Sequence, residues 1–245
     1  MPRYKITIEY LGTNLCGWQR QDNAISVQEL LEKAIGSFSG ESPTVHAAGR
    51  TDAGVHALAQ VAHFDLIKEY EVFAVTRAIN HFLIPNLVAV TNCEMAPHDF
   101  HARFSAKARH YLYRINNRPG KVAIESDRAW WLYKPLDIAA MQKAAEHLVG
   151  MHDFSSFRAS ECQSISPVKT LDKIEIMRVG DEVHFSLSAK SFLHHMVRNI
   201  VGTLVMVGHG KWLPDDVLLA LKAKKREAAG PTAPAYGLYF AKVDY

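Results

Sequence analysis

Apolar and polar positions alternate from the first residues of the chain. Tyr4, Ile6, Ile8 and Tyr10 are separated by Lys5, Thr7 and Glu9, the two-residue period of a half-buried strand. Residues 12–18 follow as a loop. The period then changes: Val27, Leu30, Leu31, Ala34, Ile35 and Phe38 recur at helical spacing, opened by the capping-box pair Ser26 and Glu29 and closed by Gly40. Residues 44–48 predict a second strand and residues 61–64 a third. Val72, Val75, Ile79, Phe82 and Leu83 predict a second helix that Pro85 closes, and residues 87–93 a fourth strand. The resulting order is β-α-β-β-α-β, the split, ferredoxin-like unit in which an antiparallel sheet carries both helices on one face.

The second half repeats that order loosely. Arg109, Tyr111, Tyr113 and Ile115 alternate as a strand, residues 128–133 add another, and Asp137 caps a helix carrying Met141, Ala144, Ala145 and Leu148 before Gly150. Residues 171–179 and 183–189 pair across Gly180-Asp181 as a hairpin. Residues 196–207 and 215–223 are helical, and residues 237–243 form the last strand. The expected fold class is therefore α+β, two similar ferredoxin-like halves with mainly antiparallel sheets, divided into residues 1–104 and 105–245. Gly230-Pro231-Thr232-Ala233-Pro234 reads as a rigid surface loop, not a linker.

Composition narrows the class of protein. A chain of 245 residues with 48% hydrophobic residues can bury a substantial core. Its N-terminus lacks the charged and apolar regions of a leader peptide, and the longest apolar run, residues 200–207, falls far short of the ~20 residues that cross a bilayer. No membrane association is expected. Three widely spaced cysteines, Cys16, Cys93 and Cys162, fit reduced thiols in a cytoplasmic protein. The net charge of +3 makes only a mild electrostatic case for a polyanion partner.

The richest stretch chemically is residues 49–65. Gly49 and Gly54 bracket a turn in which Asp52 is the only carboxylate and Arg50 stands two residues before it. Glycines at both ends of a turn allow close approach of a ligand, although an aspartate there also caps its own backbone in an Asx turn. There is no Gly-x-Gly-x-x-Gly, no Gly-x-x-x-x-Gly-Lys and no Cys-x-x-Cys, so no cofactor is expected.

The run Gly49-Arg50-Thr51-Asp52-Ala53-Gly54-Val55-His56, with Gln60-Val61 and Phe64 behind it, closely resembles the signature of the tRNA pseudouridine synthase A family. A second run, Phe192-Leu193-His194-His195-Met196-Val197-Arg198-Asn199-Ile200-Val201-Gly202, resembles the family's second signature, and Phe104 to Tyr111 resembles a third. The resemblance implies that Asp52 is the catalytic nucleophile, that Arg198 pairs with it, and that Tyr111 stacks on the target base. It implies that Arg50 contacts the RNA near the flipped nucleotide, that Phe157 and Arg158 are substrate contacts, and that the two halves meet at a central active-site cleft. The substrate would be uridines 38, 39 and 40 in the anticodon stem-loop of tRNA, and the protein a homodimer. Each residue also has a plainer reading: Arg198 as a solvated flank or structural ion pair, Tyr111 as sheet packing, and Phe157 and Arg158 as parts of a solvated loop.

Lys107, Arg109, His110, Arg114, Arg118 and Lys121 cluster early in the second half and are candidates to follow an RNA backbone. The sequence departs from the family pattern at Leu11, where an aspartate is usual, although Trp18 and Gln19 still match. Thirteen histidines invite a metal reading. Taking His194 and His195 as helical, their side chains would point about 100° apart and share no face, so no metal is expected. The rival function is a non-catalytic RNA-binding protein of two ferredoxin-like halves, but the aromatic pattern expected on its central strand is lacking.

Overall fold

The computed structural model describes residues 1–22 and 24–245. They form two compact units, Met1–Lys107 with Tyr239–Tyr245, and Ala108–Leu238.

In the first unit β1 (Arg3–Tyr10) runs between two antiparallel neighbours, β3 (His56–Asp65) and β4 (Val88–Ala96), with Arg3 opposite Asp65 on one side and Ala96 on the other. The alternation of the sequence is realised directly. Tyr4, Ile6, Ile8 and Tyr10 are buried, while Lys5, Thr7 and Glu9 are not. Helix α1 (Val27–Ser39) starts where the Ser26 side chain accepts from the Glu29 amide and stops at Gly40, whose φ of 74° suits a residue without Cβ. Its buried residues Val27, Leu31, Ala34 and Ile35 pack with Val75, Ile79 and Leu83 of α2 (Val72–Leu83). Strand β3 has β1 along one edge; the short β2 (His46–Ala47) and the last strand, β10 (Leu238–Asp244), share the other, β10 in parallel.

The second unit has the order β5 (Ala108–Asn116), β9 (Glu182–Ala189), β8 (Val168–Val179), β7 (Gly150–Asp153), antiparallel throughout, with β6 (Trp130–Trp131) parallel to the end of β5. The β8–β9 hairpin turns through Gly180 at a φ of 59°. Helix α3 (Ile138–Glu146), capped by the Asp137 carboxylate on the Ala140 amide, packs against β8, α4 (Met196–Gly208) and α5 (Pro214–Ala223). The chain is thus α+β with mainly antiparallel strands, as expected. No helix of the described residues is long and apolar enough to cross a membrane.

Several expectations needed correction. The strand expected over residues 44–48 shrinks to two residues because α1 captures Val45: the Val45 amide donates to Glu32 Oε1, and its carbonyl accepts from Gln28 Nε2. The strand expected over residues 128–133 shrinks to Trp130–Trp131. The Arg128 and Ala129 amides are spent on a turn onto the Glu125 carbonyl, and the Asn117 side chain takes the carbonyls of Leu132 and Lys134. The expected division at 104/105 misplaces the C-terminus: Tyr239–Tyr245 belong to the first unit, where Tyr239 pairs with His56, the Asp244 carbonyl accepts from the Lys107 amide, and the Tyr245 hydroxyl donates to the Ala102 carbonyl.

Candidate active site

The turn between β2 and β3 carries Arg50, exposed, and Asp52, half-buried. Its shape is imposed by the loop after β1. The Trp18 amide donates to the Thr51 carbonyl at 3.0 Å, the Gly54 amide to the Leu15 carbonyl at 3.4 Å, and the Gly12 amide to His56 Nδ1 at 2.8 Å. The turn closes on itself where the Val55 amide meets the Asp52 carbonyl at 3.1 Å. Contact is so close that a Cβ on Gly12 would overlap the Val55 carbonyl, and one on Gly17, at a φ of 97°, the Thr51 carbonyl. Glycines at these two positions let one backbone lie against another. Leu11, the departure from the family pattern, donates its amide to the Leu87 carbonyl and leaves this contact undisturbed.

Within the second unit Tyr111 lies on β5 opposite Leu187 of β9, half-buried, with its ring edge-on to Phe192 at 5.0 Å. Two residues on, Tyr113 is fully buried; its hydroxyl donates to the Pro234 carbonyl at 2.8 Å, and burial holds its pKa well above the ordinary value. Tyr113 is therefore a packing tyrosine, its hydroxyl committed. Arg198, the third residue of α4, is half-buried and fixed at one edge, Nε donating to the Ala233 carbonyl at 2.8 Å while the Ala233 amide returns a bond to the Arg198 carbonyl.

Asn199 secures that arrangement from behind. Wholly buried, it donates to the Phe157 carbonyl and accepts from Arg226 Nη2 and the Thr232 hydroxyl. A buried asparagine in an apolar helix requires such partners, and that is the signal by which the sequence announces it. The loop at residues 155–162 is bound to the turn before α4 through the Ala159 amide and the His194 carbonyl at 3.0 Å. The structure thus brings Tyr111 next to Phe192, and the loop carrying Phe157 and Arg158 next to the segment carrying Arg198. Arg50 and Asp52 share the turn of the first unit.

Three readings of individual residues change. Phe157 is fully buried, its ring packed against Phe154 at 6.2 Å, so it is a core residue and not a surface that a substrate touches. His194 and His195 precede α4 instead of lying in it: His195 is its N-cap, at the left-handed φ of 60°, and the two rings sit 4.1 Å apart. The expected divergence of helical neighbours does not apply, because the backbone there is not helical. Within the basic cluster, Arg109 and Arg114 are committed to the fold, while Lys107 and Lys121 are exposed. Strand alternation turns Arg109 inward, where it donates to the Lys190 carbonyl, and Arg114 is paired with Glu182 at 2.6 Å and Glu125 at 3.2 Å. Glu182 is half-buried, which alone would raise its pKa, but bonds from Arg114 and His184 hold it below the usual range. Arg158 remains half-buried and closes its own loop through Nη2 to the Cys162 carbonyl.

Comparison with known proteins bears on the whole chain. The family model described as tRNA pseudouridine synthase matches residues 6–105 and 144–245. A protein of Paramagnetospirillum magneticum strain AMB-1 named tRNA pseudouridine synthase A is 54% identical over 245 residues, which is 100% of this chain and 96% of that one. One of the same name from Afipia carboxidovorans strain OM5 is also 54% identical, over 100% of both chains. Among solved structures, the crystal structure of a Cbf5-Nop10-Gar1 complex superposes over 97% of this chain and 48% of that chain with a TM-score of 0.37 at 12% identity, too loose a likeness to carry an argument.

Proposed function

Since the chain belongs to the tRNA pseudouridine synthase family, we propose that it converts uridines 38, 39 and 40 of the tRNA anticodon stem-loop to pseudouridine with Asp52 as nucleophile. The isomerisation breaks the bond from uracil N1 to the ribose and joins uracil C5 to the same carbon. Atoms balance without a co-reactant: N1 gains a proton and C5 loses one. The chain accordingly has to supply a nucleophile, a route for a proton and a pocket for the loose base, and no redox group or metal enters the scheme.

Asp52 attacks the flipped nucleotide, at the ribose C1′ or the base C6; in either route the carboxylate must be ionised where water is excluded, which calls for a cation. Arg198 takes that role and Tyr111 stacks on the base, as the family resemblance implies. The observation that carries the reading is the Asp52 turn, presented half-exposed on a backbone fixed by Trp18, Leu15 and Gly12. A nucleophile must be held in near-attack geometry, and a solvated loop without such bracing would not do so. Arg50, exposed two residues earlier, contacts the phosphates or fills the place of the flipped base, and Arg158 is a further candidate contact. The enzyme acts as a cytoplasmic homodimer.

The test is tritium release from tRNA labelled at uridine C5. Wild type is expected to release tritium, and Asp52→Asn, still folded and still binding tRNA, to fall by about a thousandfold or more. Equal release by both would discard Asp52. Binding without release by either would turn the reading to a non-catalytic RNA-binding protein.

A further inference from the structure

Beneath the Asp52 turn lies a chain of buried side chains for which the reaction scheme has no use. Tyr10 ends β1 at 4% exposure, and its hydroxyl is 2.8 Å from Thr51 Oγ1, across 41 residues of sequence. Gln60 is fully buried on β3 and donates Nε2 to the Gly49 carbonyl at 2.7 Å. Its other end, Oε1, is buried and makes no hydrogen bond among the described residues, although the Gln60 side chain acts on the Tyr10 hydroxyl by opposing the rise that burial imposes on its pKa.

Two bonds therefore hold the turn from below, the one between the Tyr10 and Thr51 hydroxyls and the one from Gln60 Nε2 to the Gly49 carbonyl. Burial pushes the Tyr10 pKa up to about 12, so the proton stays in place across the working range of pH.

Burial alternates along the turn in step with these bonds. Thr51 is buried, while Arg50 is exposed and Asp52 half-buried. Thr51 is held twice, by its hydroxyl on Tyr10 and by its carbonyl on the Trp18 amide. We propose that Tyr10 and Gln60 are positioning residues for the reaction, clamping Thr51 and Gly49 so that Arg50 and Asp52 are delivered at a fixed place and angle. The proposal rests on Asp52 as the nucleophile. It adds two residues that touch no substrate yet set the rate.

Displacement of a reacting group by about 1 Å costs on the order of 100-fold in rate. Tyr10→Phe and Thr51→Val are each expected to lower kcat for tritium release about 10- to 100-fold, with the KM for tRNA and the thermal midpoint nearly unchanged. The double variant should lose no more than either single one, because both break the same bond. Thr51→Ser, which restores the hydroxyl, should recover most of the loss. Should Tyr10→Phe fail to fold, the comparison of Thr51→Val with Thr51→Ser reads the same bond without touching the core. A kcat within twofold of wild type, or a loss tracked by the melting temperature or unrescued by serine, overturns the clamp. If Asp52→Asn is silent while Tyr10→Phe runs at the wild-type rate, the clamp alone fails; if Asp52→Asn stays active, the nucleophile fails.

Discussion

Arg114 and Arg198 carry the same charge, but the fold uses them differently: Arg114 is spent on Glu182 and Glu125, while Arg198 bonds the Ala233 carbonyl through Nε. Residue type shows what a side chain offers, and its neighbours decide where the offer goes. His63 illustrates the same point for protons. It is 2% exposed, its Nδ1 accepts from the Ala102 amide, and His101 and His46 lie 4.7 and 5.1 Å away. Burial above all, with positive charge on His101, Arg3 and His46, pushes its pKa down to about 4, against the small opposing effect of Asp65. Because the folded pKa lies below the unfolded one of about 6.5, the unfolded chain binds the extra proton. The stability contributed by neutral His63 is then complete above pH 6.5 and is lost as pH falls toward 4, at most about 3 kcal/mol in all. Urea unfolding across that window should show this slope in wild type and a flatter one in His63→Gln; identical slopes would refute it.

At the level of elements, the helices were legible because their signals are local. Ser26, Gly40 and Asp137 end helices through bonds to residues at most four positions away. The strands over residues 44–48 and 128–133 were not, since side chains of Gln28, Glu32 and Asn117, distant in sequence, divert their backbone groups. Helix α4 shows an element shaped by what lies on it. A Cβ on Gly202 would overlap the Pro231 carbonyl, and one on Gly230 would press on the Thr203 backbone. The loop at residues 230–234 can thus lie close enough for Ala233 to exchange bonds with Arg198. Gly202→Ala should cost about 2–4 kcal/mol in urea unfolding and lower tritium release beyond what the lost folded fraction explains, because the Ala233 carbonyl moves away from Arg198. A change under about 0.5 kcal/mol would mean that the loop yields freely.

For the whole molecule, the last strand matters most. Residues 239–245 complete the first unit: Phe240 is fully buried with its ring 3.0 Å from where a Cβ on Gly49 would sit, and β10 covers the edge of β3 just where the Asp52 turn ends. Shortening the chain to residues 1–238 should therefore damage the first unit, far off in sequence, exposing residues 49–57 to protease and abolishing tritium release. A shortened protein that melts and reacts like the full chain would show β10 to be dispensable.

By itself the sequence determined the periods of the longer strands and helices, the caps at Ser26, Gly40 and Asp137, the α+β class, and the two runs around Asp52 and Arg198 that carry the family resemblance. These depend on residue types within a few positions of one another, where chain geometry leaves little choice. Only the tertiary structure decided that Phe157 belongs to the core, that Arg109 and Arg114 are committed to the fold, that His195 turns left-handed, and that the C-terminal strand joins the first unit. It also decided the bonds that tie Tyr10 to Thr51 and Gln60 to the Gly49 carbonyl. Each of these depends on which groups distant in sequence become neighbours once water is excluded, where a buried donor or acceptor must find its partner from whatever the fold brings near.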